Sequence, residues 1–175
     1  MNKSKAHPSV VVELNRQFNQ ELAAAHNYLA LSVWCETRNF DGFGSYFAKQ
    51  ASEERVHAGK IMKHLIDRGQ TPEVAPIPQP RQDFSSLSEV AQQAQTMEQD
   101  NTRGIHAVYE AAVASKDYAA QVLMHWFINE QVEEEAWCAK MVDRVRSATC
   151  AGSLSSLDAH IGRILEGESK GLAGE

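Results

Sequence analysis

Glu53-Glu54-Arg55-Val56-His57 sits in the middle of a long helical pattern. Phe43, Phe47 and Gln50 precede it and Ile61 and His64 follow it, at alternating steps of three and four residues. Such steps trace the inward seam of a helix in a bundle. The seam therefore carries Glu54 and His57 where an apolar core is expected, and residues three apart lie one helical turn from each other. A helix that turns cation ligands inward needs partner helices to complete both its core and its ligand set.

Three other runs supply them. The first reads Val11, Leu14, Phe18, Glu21, Ala25, Tyr28, Ser32 and Cys35 along its seam, and the third reads Leu87, Ala91, Ala94, Glu98, Asn101, Ile105, Val108 and Ala112. The fourth reads Leu123, Phe127, Glu130, Glu134, Trp137, Met141 and Val145. Every seam holds a carboxylate at mid-helix. Converging buried carboxylates repel one another and lose their hydration, and a bound cation relieves both costs. Carboxylates with one imidazole and no thiolate suit iron or manganese better than a structural zinc ion.

The predicted helices are a run from about Pro8 to Asn39, a second after an Asp41-Gly42 turn to about Arg68, a third from about Leu87 to Ser115, and a fourth after Lys116-Asp117 to about Ala148. At about 1.5 Å per residue these are rods of roughly 40 to 48 Å. Gly69 is a stop signal, and Ser86-Leu87-Ser88-Glu89 fits a capping box. Short links make helices one and two, and three and four, antiparallel hairpins. Pro72, Pro76, Pro78 and Pro80 mark residues 70 to 84 as an extended crossover between them. Gly152 is read as lying beyond helix four, and a short fifth helix is expected from 154 to 165, with no place inside a closed bundle. The fold class is all-α, with residues 1 to 175 forming one domain and the bundle occupying about 8 to 148.

Composition sets the outer limits. The 175 residues are 43% hydrophobic and 23% charged, with a net charge of -6, which disfavours non-specific nucleic-acid binding. The first residues hold no apolar signal core and no run is apolar enough to span a membrane, so a cytoplasmic protein with no membrane partner is expected. Cys35, Cys138 and Cys150 lack Cys-x-x-Cys spacing and are read as reduced thiols.

Asn19-Gln20-Glu21-Leu22, Tyr28, Glu53-Glu54-Arg55-Val56-His57, Met97-Glu98-Gln99 and Asn129-Glu130-Gln131-Val132-Glu133-Glu134-Glu135 resemble, in order, the motifs of the ferritins, and of the non-haem bacterial ferritins most closely. The resemblance implies a di-iron ferroxidase centre. Glu21, Glu54 and His57 would hold one iron, and Glu54, Glu98 and Glu134 the second, with Glu54 bridging and Gln131 nearby. Glu53, Glu130, Glu133 and Glu134 match a third iron site, and Tyr28 matches a tyrosine that can supply an electron. On this reading Fe(II) is oxidised by O2 or peroxide, and ferric product is stored as mineral inside a 24-mer homo-oligomeric shell, with helix five at a fourfold axis.

Bacterioferritins carry a second Glu-x-x-His pair and a haem methionine. Gln131, Glu134 and Arg55 stand at those positions, so haem is not expected. Gln121 and Met124 occupy turns where many ferritins line a threefold pore with carboxylates. The competing readings are a non-storage di-iron peroxidase or oxygenase with the same ligands, and a helical binding protein whose glutamates face solvent. Against the third-site reading, Glu133 to Glu135 can be read as a solvated charge run, and Tyr28 as a core tyrosine bonded to a glutamate.

Overall fold

The computed structural model describes residues 6–172, with side chains up to Leu165. Five helices follow in chain order: α1 (Pro8–Glu36), α2 (Asp41–Asp67), α3 (Leu87–Ala114), α4 (Tyr118–Ser147) and α5 (Ala151–Leu172). The first pairs with the second, the third with the fourth, and α1 with α3, giving the expected four-helix bundle.

The helix ends follow from local chemistry. Gly69 has φ +71°, and the amides of Gly69 and Gln70 bond to the carbonyls of Ile66 and Leu65 at 2.9 Å each, the glycine-dependent closing turn that ends α2. Helix one stops at Glu36, three residues short of the predicted end, because Asn39 turns into the left-handed region at φ 59°. The Ser86 hydroxyl caps α3 by accepting from the Glu89 amide at 3.3 Å, while the Glu89 carboxylate takes the neighbouring Ser85 hydroxyl at 2.5 Å. Asp117 caps α4 through the Ala120 amide and is gripped by both terminal nitrogens of Arg68.

The crossover is irregular and pinned to α1. Asn15 accepts from the Glu73 amide, and Asn19 accepts from the Ala75 amide and donates to the Glu73 carbonyl, all at 2.8 to 2.9 Å.

Two apolar clusters fill the bundle. One gathers Tyr28, Leu31, Phe43, Phe47, Val90 and Met141, and the other Leu14, Phe18, Ile61, Ile105, Met124 and Phe127. Along α1, Glu21 falls between the two, and its buried polar company is Gln17, Glu54, His57, Glu98, Asn101 and Gln131. The apolar ends make the bundle stable and exclude water from the polar middle.

Two expectations need correction. The buried face of α4 runs through Met124, Phe127, Gln131, Cys138 and Met141, whereas Leu123, Glu130, Glu134 and Trp137 lie half-buried on its border. Counting threes and fours from apolar residues fixed the period but not the phase. Met124 is consequently core and lines no pore. Helix α5 is also longer than predicted and does have a partner in its own subunit: it packs on α2. The Asp158 carboxylate accepts from the Phe43 amide at 2.9 Å, serving as the cap that Phe40 cannot provide for α2. The backbones touch there, since a Cβ on Gly42 would lie 2.0 Å from the Asp158 carbonyl oxygen. Ile161 is fully buried in the join.

Candidate metal centre

The ligands are delivered by the mid-lengths of α1 and α2, where fraying is least. Glu21 on α1 and Glu54 and His57 on α2 bring one ligand atom apiece within 4.8 Å of one another, and all three are buried. His57 Nδ1 lies 3.4 Å from Glu54 Oε2 and 3.9 Å from Glu21 Oε2. Among the described residues neither Glu54 Oε2 nor His57 Nδ1 has a hydrogen-bond partner, a rare condition for buried polar atoms. Trp126 and Phe127 stand edge-on to the imidazole, at ring separations of 5.4 and 5.8 Å, and hold it in place.

Glu21 is oriented by residues the sequence reading left without a role. Gln17 donates to one oxygen at 2.7 Å, and Asn101 donates to the other at 3.0 Å. Gln17 also donates to Asn101 at 2.6 Å, so the three side chains lock together. Gln17 precedes Glu21 by one turn and Asn101 follows Glu98 by one turn, a spacing that could have flagged both. Gly104 makes room, because a Cβ there would lie 2.2 Å from Gln17 Oε1.

Glu98 is held by the Tyr28 hydroxyl, which donates to it in a short contact, and by Gln131, which donates to its carboxylate at 3.1 Å. Gln131 also reaches the Thr102 hydroxyl, which donates in turn to Glu135. Glu134 stands further out. With Glu53, Glu130 and Glu133 it lines a cleft of about 220 Å³, whose other wall is Trp137 with Ile161, Ile164 and Leu165 of α5.

Burial dominates the electrostatics. It raises the Glu21 carboxyl well above the usual range, and the Glu54 charge adds to the effect. Glu54 is pushed up to about 8 by burial, its bond with Glu21 pulling the other way, and Glu134 to about 8 by burial and then by Glu98, Glu53 and Glu130. Glu98 is raised by burial despite the Tyr28 and Gln131 bonds that favour its anion. The raised carboxyls favour their protonated forms, so burial opposes their anions.

A four-helix bundle with carboxylates and one imidazole converging at its middle has the arrangement of the carboxylate-type metal proteins, and its Glu21, Glu54 and His57 could hold a metal ion. The model of the ferritin-like domain family matches residues 11–148, so the chain belongs to the ferritin family. The bacterial non-heme ferritin of Staphylococcus aureus strain MRSA252 is 42% identical over 123 residues, covering 70% of this chain and 74% of the relative. The corresponding protein of Staphylococcus haemolyticus is 39% identical over 130 residues, 74% of this chain and 78% of its own length. Among solved structures, an open pore ferritin from the hyperthermophilic archaeon Archaeoglobus fulgidus superposes with a TM-score of 0.87 at 28% identity, covering 90% of this chain and 98% of that one.

Proposed function

We propose that the chain is an iron-storage ferritin subunit that oxidises Fe(II) with dioxygen at the Glu21, Glu54 and His57 group and passes ferric product to a mineral core. The observation that carries this reading is the pair of buried, unpartnered atoms, Glu54 Oε2 and His57 Nδ1, facing one another beside Glu21. A structural polar cluster would satisfy such atoms with donors. A cation satisfies them with charge.

Glu21, Glu54 and His57 hold the first iron as substrate, and Glu54, Glu98 and Glu134 hold the second, Glu54 bridging. Gln17, Asn101, Gln131 and Tyr28 keep the carboxylates oriented as the cations arrive. Protons leave the raised carboxylates as Fe(II) binds. Oxygen accepts the electrons in the dry space between the two apolar clusters, where fixed charges act strongly. Tyr28, joined to Glu98, is positioned to supply a further electron. Glu53, Glu130 and Glu133 offer a third position on the way out through the cleft.

The storage part of the reading rests on family membership, and the assembly is a 24-mer shell in the cytoplasm. Among the described residues no helix is long and apolar enough to cross a membrane. Native mass measurement after aerobic Fe(II) loading tests the whole reading. A large hollow particle retaining many more irons than its ligand sites could hold is expected, and a small species that oxidises Fe(II) without retaining it would favour a non-storage oxidase.

A further inference from the structure

The carboxylate cleft holds one oxygen donor that neither the sequence pattern nor the site described above uses. Tyr46, on α2, lines the cleft with Glu53, Glu130, Glu133 and Glu134. It is 3% exposed, and among the described residues its hydroxyl has no hydrogen-bond partner. The ring cannot easily turn to find one. It stacks on Trp137 at 4.7 Å and 19°, and meets Phe47 edge-on at 5.3 Å. A buried phenol normally finds an acceptor. Here the nearby charged groups are Glu134, Glu98 and Glu53, with the Cys138 thiol beside them, yet the hydroxyl bonds to none.

We propose that the Tyr46 phenol oxygen is a ligand of an iron ion held in the cleft, together with Glu53, Glu130 and Glu133. The proposal rests on reading the cleft as a third iron site. Ferric iron is a hard cation that prefers anionic oxygen. Once dioxygen has taken the electron that makes the ion ferric, the phenol O–H bond breaks, an iron–oxygen bond forms, and the proton passes to a cleft carboxylate and on to water. No electron moves in this step. A phenolate ligand favours the ferric over the ferrous ion, so Tyr46 holds the cleft ion in its oxidised form until it leaves. Glu53 is half-buried at the cleft, and its present partners are the Lys49 ammonium at 3.5 Å and the Gln50 amide at 2.8 Å, contacts that an ion can displace.

The test is resonance Raman and visible absorption on the full-length assembled protein, loaded aerobically with Fe(II) at three per subunit. Wild type, Tyr46→Phe, Tyr28→Phe and the Glu130→Ala/Glu133→Ala pair are compared. Phenylalanine keeps the ring and its stack while removing an unpartnered hydroxyl, so the fold survives the change. The expected result is a visible phenolate-to-iron band with tyrosinate ring modes in wild type and Tyr28→Phe, lost from Tyr46→Phe and from the double variant. A band lost only in Tyr28→Phe overturns the proposal. So does an absent band in a wild type that binds three irons by anaerobic equilibrium titration, which leaves the third-site reading standing. A wild type that binds two irons, with a double variant titrating identically, overturns that reading and Tyr46's role with it.

Discussion

The two carboxylate regions of this bundle use the same residue type under opposite conditions. The inner group of Glu21, Glu54 and His57 is almost wholly buried, with Gln17 and Asn101 fixing Glu21 while Glu54 Oε2 and His57 Nδ1 have no partner. The outer cleft has Glu133 exposed, Glu53 and Glu130 half-buried, and Lys49 and Gln50 already compensating Glu53. Burial turns carboxylates into a site that cannot be comfortable empty. Exposure turns them into one that is, which suits a place of passage. Glu134 belongs to both, since its neighbours in charge are Glu98 inside and Glu53 and Glu130 outside.

The sharpest break in that comparison comes from the inner ligands. On the proposed assignment, Glu54→Ala would remove the bridging carboxylate and His57→Ala the sole nitrogen ligand. Each should slow the first phase of aerobic Fe(II) oxidation by at least about 100-fold, more than the loss usual for groups that merely orient a ligand. Stopped-flow absorbance on variants shown to be helical measures it. A rate within a few-fold of wild type would return the inner cluster to a structural role.

Stability should separate the regions next. Carboxylates whose folded values are raised bind protons in the folded state that the unfolded chain has already released, so stability falls as pH rises between the two values. For Glu54 the window runs from its ordinary 4.5 to about 8. The iron-free protein should therefore melt lower at pH 8 than at pH 5, by several degrees. A redox-inert divalent cation should restore the loss at pH 8, and less so in Glu54→Gln, which carries no charge to relieve. Calorimetry that found the iron-free protein equally stable across this window would show that the inner carboxylates are better solvated than their burial implies.

A smaller effect is expected from Gly104→Ala. The new methyl meets the far ends of Gln17, Gln20 and Arg16, which can swing away, so the fold should hold. Gln17 would then leave Glu21, and the affinity for the first cation should fall by about 10-fold, the scale of losing one orienting hydrogen bond. Isothermal titration under anaerobic conditions measures it, with the outer cleft unaffected.

Much of this division can be read from the residue pattern, for reasons that differ by element. Glu54 and His57 are three apart on a strongly periodic helix, and Gly69 and Ser86 mark its end and the next start by chemistry that any structure must satisfy. Helix α4 is harder, because Glu130, Gln131 and Glu134 crowd one side of the helix and the period alone cannot choose among them. Only the packing shows that Gln131 faces Glu98 while Glu130 turns to the cleft. The partner of α5 is equally hidden. Leu154, Leu157, Ile161 and Leu165 form a visible stripe, but the Gly42 notch that receives it and the Phe43 amide that its Asp158 caps lie more than a hundred residues away in the chain. Tyr46 went unassigned because it sits one residue before Phe47, off the line chosen as the seam.

The finest test of the comparison removes the outer carboxylates alone. Glu130 and Glu133 are one turn apart on α4, and neither belongs to the inner group. If the cleft receives iron after the first oxidation, replacing both with alanine should leave the initial fast phase within a few-fold of wild type. The ratio of iron oxidised to oxygen consumed should shift, and later turnovers should slow, because ferric product loses its route outward. Glu134 must stay in place, since its charge reaches Glu98 and the inner site. Oxygen-electrode stoichiometry alongside stopped-flow separates the outcomes. Loss of the first phase would mean that the two regions are one site divided wrongly, and unchanged stoichiometry with unchanged turnover would make the outer glutamates an ordinary solvated face.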